Sequence, residues 1–228
     1  MAVFAALEQE ARALVGRLPR SGTIGPRIPC WEGDGMVVAV GGVGKVSAAL
    51  ATQFLHDAFK PRCIVAIGLA GALKADASRG QVIVASAAVQ HDIDARPLTE
   101  ARGVIPSLGI SAINSDAAVA EKLTVAAKRA VENPRIVRLG LVLTGDQIVT
   151  SKAVRDAIAK EFPDGACIDM ETAAVAQVAQ QNGLPWGAVR VTSDSADESF
   201  DLEAVIDFGV GTASELFARI ITDALTDL

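Results

Sequence analysis

Carboxylates placed where short apolar runs give way to polar residues are the first chemical signal in the chain. Asp169 and Glu171 follow Ala166-Cys167-Ile168 directly, and an Ala/Val-rich helical pattern runs from Met170 to Gln181. Asp194 follows the run Arg190-Val191-Thr192 inside the polar cluster Ser193-Asp194-Ser195-Ala196-Asp197, and Glu10 stands just past the apolar opening segment. A carboxyl group half-buried beside an apolar ligand can hold a proton for a leaving group, so Asp194 is a candidate general acid. Glu10 is a candidate for orienting or deprotonating a water, given parallel strands that share one edge. Three of these carboxylates also have a plain structural alternative. Asp169 can cap the following helix, worth ~1 kcal/mol, Glu171 can complement the helix dipole, and Glu10 can be a solvated helix residue.

Other chemistries fit less well. Gly41-Gly42-Val43-Gly44-Lys45 joins a strand to a helix, but a phosphate loop needs a further glycine where Ala39 stands and a hydroxyl where Val46 stands. Gly42 to Ser47 also lacks the last glycine of a dinucleotide fingerprint. Two readings remain: backbone N–H groups offered to a ligand at a helix N-terminus, or a tight turn. Gly68-Leu69-Ala70-Gly71-Ala72 ends another apolar strand, where small residues leave room for a ligand, though alone it reads as a turn. His56 falls in an amphipathic helix with no partner motif, His91 is the other histidine, and no Gly-x-Ser-x-Gly elbow occurs, which argues against a serine-hydrolase triad. Cys30, Cys63 and Cys167 lack the spacing of a zinc site or a disulfide framework, so a reducing, cytoplasmic setting is expected.

The elements that must position these residues are legible from periodicity. Apolar runs at Ala2 to Leu7, Met36 to Val40, Cys63 to Ile67, Gln81 to Ala85, Val137 to Leu143 and Gly187 to Thr192 suit strands covered on both faces. Helical patterns lie between them at Glu8 to Leu18, Lys45 to Phe59, Asp116 to Val131, Lys152 to Glu161, Met170 to Gln181 and Leu202 to Leu225. Strands alternating with helices predict an α/β fold. With 228 residues, no repeat and no linker, a single domain over 1–228 is expected. Ser86 to Leu108, with Pro97, Gly103 and Pro106, reads as a long functional or interface loop. The net charge of -6 gives no attraction for nucleic acid or an anionic membrane. No apolar stretch reaches the ~18 residues of a membrane span, and Glu8 and Glu10 follow the apolar start too closely for a signal peptide.

Taken together, these segments resemble the nucleoside phosphorylase and nucleosidase superfamily, in particular bacterial 5'-methylthioadenosine/S-adenosylhomocysteine nucleosidases. The ordered set spans nearly the whole chain: Ala6 to Glu10, Gly42 to Ala49, Gly68 to Ala72, His91-Asp92-Ile93-Asp94, Gly145-Asp146-Gln147, Asp169-Met170-Glu171 and Ser193 to Asp197. The resemblance implies a three-layer sandwich with a mixed, mostly parallel central sheet flanked by helices. It implies hydrolysis of the N-glycosidic bond of a purine nucleoside, with no metal or organic cofactor. Asp194 would protonate purine N7, Glu10 would activate water, and Met170 and Glu171 would hold the ribose. Arg190 would order the water and Glu171, Ser193 would position Asp194, and the Val149 backbone would read the base edge. Leu69, Ala70, Gly71 and Ile148 would complete the substrate pocket.

The sequence departs from these relatives at Ile148, where many place a Phe against the adenine, and at Leu69, where a Ser is common. With no Tyr in the chain, aromatics used around the 5' group are missing too. Futalosine, deoxyadenosine or an adenosyl-lipid therefore stand beside methylthioadenosine as substrates. A phosphate-dependent phosphorylase is an alternative, but Arg17, Arg20 and Arg27 stand apart and lack the phosphorylase context. A nucleoside-binding protein without catalysis is the alternative of another class; it leaves the combination of Glu10, Glu171 and Asp194 unexplained. The resemblance also implies a homodimer in which the segment around Pro106 reaches the neighbouring site.

Overall fold

The computed structural model describes residues 1–25, 27–74 and 79–227. Its centre is a mixed sheet whose middle strands are buried on both faces. β1 (Ala2–Ala5) lies parallel to β4 (Met36–Val40) on one side and to β5 (Ile64–Ala72) on the other. β10 (Trp186–Asp194) runs parallel to β5 over eight paired residues, and β6 (Val82–Gln90) pairs as many with β8 (Val137–Thr144), also in parallel. Antiparallel ladders are shorter, from two to five pairs, and extend or close the sheet.

Closure is the feature that matters for the site. β10 pairs with β6, β6 with β8, and β8 with β9 (Gly165–Asp169), which returns to β5 through Gly71 with Ile168 and Ala72 with Cys167. Five strands thus form a ring. On β5, Gly71 is paired with Asp194 on one side and Ile168 on the other. A Cβ at Gly71 would stand 3.0 Å from Ala196 Cβ and 3.3 Å from Asp194 Oδ1, so a larger residue would wedge this junction apart.

Alternating side chains on the strands feed two cores. Ala2, Phe4, Ile64 and Trp186 face α2 (Lys45–Phe59) and α5 (Thr172–Gln181), where they meet Leu55 and Val175. Val3, Val65 and Val189 face α1 (Glu8–Val15), α3 (Ala117–Ala130) and α7 (Ser214–Asp227), where they meet Leu14, Leu123 and Phe217. Burial on both faces explains why these strands read as unbroken apolar runs. The helix–sheet–helix layering agrees with the expected three-layer α/β sandwich.

Several elements differ from the sequence expectation. β2 (Arg20–Ile24) and β3 (Ile28–Gly33) form an antiparallel extension beyond β4; exposed Arg20 to Thr23 and Pro29 mask them, because an edge strand needs no apolar run. Ser86 to Gln90, expected in a loop, is the second half of β6, and short β7 (Ala112–Asn114) pairs there. α4 (Lys152–Glu161) matches its expected limits. The helix expected from Leu202 to Leu225 is α6 (Leu202–Phe208), a wide π-type turn at Gly209–Ala213, and α7. A Cβ at Gly209 would lie 3.2 Å from Leu69 Cδ1, and Ser214 Oγ accepts the Ala13 N–H at 2.9 Å, so this turn is fitted against β5 and α1.

Candidate active site

One cavity opens where strand ends converge. Leu69, Ala70 and Gly71 line it from β5, Ile148 and Val149 from the segment after β8, and Met170 and Glu171 from the turn after β9. Ser193 and Asp194 enter from the end of β10, and Glu10 from α1. Ten of the residues nominated from sequence therefore meet in one place. The eleventh, Arg190, lies wholly buried beneath the wall.

Glu10 is 5% exposed, which overturns its reading as a solvated helix residue. Its Oε2 accepts the N–H groups of Ala6 (3.1 Å) and Leu7 (3.0 Å), and Oε1 accepts that of Leu69 (2.9 Å). One carboxylate thus joins the start of α1 to the end of β5. Burial pushes its pKa above the ordinary range, opposed by the nearby Arg190 charge and these three N–H donors. A group so placed is a stronger proton acceptor than a solvated glutamate.

Arg190 is anchored at one end only. Its Nε donates to Thr172 Oγ1 at 2.9 Å and lies 2.8 Å from Asp169 Oδ2, while Nη2 is 3.7 Å from Glu171 Oε2. Among the described residues, Nη1 and Nη2 have no hydrogen-bond partner. Asp169 also accepts from Thr144 Oγ1 at 2.5 Å, from the Thr172 N–H at 3.1 Å and from the Thr172 hydroxyl. Its hold on the first N–H of α5 and its hold on Arg190 are thus one structural role. Gly68 makes room, since a Cβ there would lie 2.0 Å from Arg190 Nη1 and 2.8 Å from Glu10 Oε1.

Glu171 Oε1 accepts the Gly44 N–H at 3.0 Å, and Asp146 Oδ1 accepts the Lys45 N–H at 2.8 Å. Gly44 sits at φ 93°, a conformation that favours glycine. The glycine turn before α2 therefore spends these N–H groups on the protein's own carboxylates, which would repel a phosphate. Burial raises the Glu171 pKa to about 7, with Arg190 pulling the other way. Asp194 is held at both oxygens: Ser193 Oγ donates to Oδ2 at 2.6 Å and the Ala196 N–H to Oδ1 at 2.8 Å.

Among the described residues, the cavity wall carries Glu10, Asp169, Glu171 and Asp194 and no Lys, Arg or His. Arg17 pairs with Glu215 at an exposed site, Arg20 lines a separate cavity with Met1 and Phe59, and Arg27 is exposed, so none reaches it. His91 is buried beneath Gly145, away from the wall. Phe200, Leu202 and Val205 form an apolar flank from α6 and the segment before it, and Thr172 ties Arg190 to Asp169; none of the four was expected at the site. The threonine directly after the Asp-Met-Glu segment was the one available sign.

A family model described as the phosphorylase superfamily matches residues 3–226. The 5'-methylthioadenosine/S-adenosylhomocysteine nucleosidase of Staphylococcus carnosus (strain TM300) is 30% identical over 193 residues, covering 85% of this chain and 82% of that protein. The crystal structure of the enzyme of the same name from Neisseria meningitidis, in complex with methylthio-immucillin-A, superposes with a TM-score of 0.91 at 31% identity, covering 100% of this chain and 98% of its own. A futalosine hydrolase mutant of Helicobacter pylori strain 26695 reaches a TM-score of 0.84 at 27% identity, covering 100% and 98%.

Proposed function

Because the chain belongs to the phosphorylase superfamily, we propose that the convergent carboxylates hydrolyse the N-glycosidic bond of an adenosyl thioether, 5'-methylthioadenosine or S-adenosylhomocysteine, releasing adenine. Asp194, in its acid form, protonates purine N7, so the base leaves neutral as the C1'–N9 bond breaks. Glu171 accepts hydrogen bonds from the ribose hydroxyls, and its negative charge steadies the positive charge growing on the sugar. Met170 packs against the ribose, and the Val149 backbone and Ile148 meet the base. Glu10 takes a proton from the water whose oxygen bonds to C1', and Arg190 orients that water through its buried Nη groups. The products are adenine and the free thioribose, and solvent returns both carboxyl groups to their starting states.

The observation that carries this reading is a wall with four carboxylates and no cation among the described residues. Phosphate as nucleophile needs positive groups to hold it, whereas water needs only a base. The test is base release by purified protein with and without added phosphate, across methylthioadenosine, S-adenosylhomocysteine, futalosine and deoxyadenosine. Release without phosphate and fastest on the two thioethers is expected; dependence on phosphate, or no release from any of them, refutes it.

The protein acts as one domain and, with its three cysteines buried and unpaired, in a reducing cytoplasm. No helix among the described residues is long and apolar enough to cross a membrane. Two copies associate through the face of α2 that exposes Val46 and Leu50, 79% and 50% accessible and one turn apart, with exposed Pro106 near the neighbouring site. Sedimentation at micromolar concentration should give a dimer; a fully active monomer contradicts this.

A further inference from the structure

Arg155 on α4 is a buried cation outside the cavity, its side chain 9% exposed. Its Nη1 donates to the Ser195 carbonyl at 3.0 Å and lies 3.4 Å from Asp197 Oδ2; Nε and Nη2 reach Asp156 Oδ1 at 3.1 and 3.0 Å. The Ser195 carbonyl belongs to the same peptide unit as the Ala196 N–H, and that N–H donates to Asp194 Oδ1 at 2.8 Å. In a planar trans peptide the C=O and N–H point in opposite directions. Drawing the carbonyl toward Arg155 therefore aims the N–H at Asp194.

This peptide needs holding. Ala196 has φ 50°, in the left-handed region, which is unfavourable for a residue other than glycine. Its methyl is wholly buried in a cluster with Val149, Ile158 and Ile168. The next turn of the same loop is tied as well: Glu198 Oε1 accepts the Lys152 N–H at the start of α4, at 3.1 Å. α4 begins just after Val149 in the cavity wall. One helix start thus fixes the acid-bearing loop relative to the base-side wall.

We propose that Arg155 is a positioning residue for the proton donor, acting through the Ser195–Ala196 peptide to set the Asp194 carboxyl against the leaving base. The inference rests on the reading of Asp194 as that donor. A guanidinium on the carbonyl also polarises the peptide and strengthens the N–H bond to Oδ1. Loss of Arg155 frees the peptide to rotate and leaves the ribose contacts in place, so turnover suffers and binding does not.

The test uses the full chain with methylthioadenosine as substrate, comparing Arg155→Met and Arg155→Lys, each alone and combined with Asp194→Asn, by single-turnover rates and by kcat and KM. Arg155→Met should lower kcat roughly 10- to 100-fold with KM changed less than about threefold, and Arg155→Lys should recover part of it. On the Asp194→Asn background the same change should alter the rate less than about twofold, because non-additivity marks residues acting through one another. Equal losses on both backgrounds, a change in KM alone, or an unchanged kcat overturn the proposal. If Arg155→Met does not fold, the coupling of Arg155→Lys to Asp194→Asn decides in the same way. A wild-type rate for Asp194→Asn overturns the acid assignment itself, whereas an inert Arg155→Met overturns only this inference.

Discussion

Arg190 Nε lies 2.8 Å from Asp169 Oδ2, with the two side chains 0% and 1% exposed, so the guanidinium behind the cavity is neutralised by a residue that also accepts the first N–H of α5. Breaking such a pair from one side leaves a buried charge without its partner. Asp169→Asn should therefore lower unfolding stability by roughly 3–5 kcal/mol, read from denaturant midpoints. A loss below about 1 kcal/mol, the scale of an exposed pair, would show that Arg190 finds another counter-charge.

Gly68 is the space through which Arg190 and Glu10 approach each other. In Gly68→Ala the new methyl would meet Arg190 Nη1 at 2.0 Å and Glu10 Oε1 at 2.8 Å, so at least one must move. A displacement of about 1 Å at reacting groups costs on the order of 100-fold in rate, and the overpacking costs about 1–3 kcal/mol of stability. Turnover near wild type in a folded Gly68→Ala protein would mean that neither group is held to this geometry.

Glu171 titrates near pH 7 instead of its ordinary 4.5, chiefly because burial disfavours the carboxylate. The folded chain keeps this proton between about pH 4.5 and 7 where the unfolded chain has lost it, so stability falls as pH rises through that window. Glu10 is shifted in the same direction. Activity should move the other way, rising toward pH 7 and above as Glu171 becomes the carboxylate that we propose holds the ribose. Denaturation at pH 5 and pH 8 should show a smaller loss for Glu171→Gln than for wild type; equal losses would assign the slope to other groups.

Asp194→Asn keeps the size of the side chain and its contacts with Ser193 and Ala196 but removes the transferable proton. Turnover of an adenosyl thioether should drop about 100- to 10,000-fold, while a nucleoside inhibitor should retain part of its affinity by calorimetry. Unimpaired turnover would remove Asp194 from the role of acid.

Much of this arrangement was legible from residues alone. The buried strands announce themselves as apolar runs because both faces are covered, and the limits of α2 and α4 follow from periodicity and turn residues. The carboxylates Asp169, Glu171 and Asp194 stood out because charges directly after such runs are out of place in a core, whereas Arg190, Ser193, Ile148, Val149 and Met170 were expected only from the family resemblance. The edge hairpin of β2 and β3 was not legible, since a strand exposed along most of one side carries no apolar signature. Nor was the break at Gly209–Ala213, where Leu69 and the Ser214–Ala13 bond shape an otherwise continuous helical pattern.

By itself the sequence determined which elements form and which residue types stand at their ends, because those depend on local periodicity and on the cost of burying charge. Only the tertiary structure decided that Asp169-Met170-Glu171 comes beside Asp194, through a ring that pairs Gly71 with both strands. It alone decided that Glu10 is buried against Leu69, that the glycine turn before α2 serves Glu171, and that Arg155 reaches Asp194 through one peptide. Each of these joins residues distant in the chain or depends on the orientation of a single peptide, and neither leaves a periodic trace in sequence. Their physical basis is closure of the sheet, which brings separate strand ends within hydrogen-bonding distance.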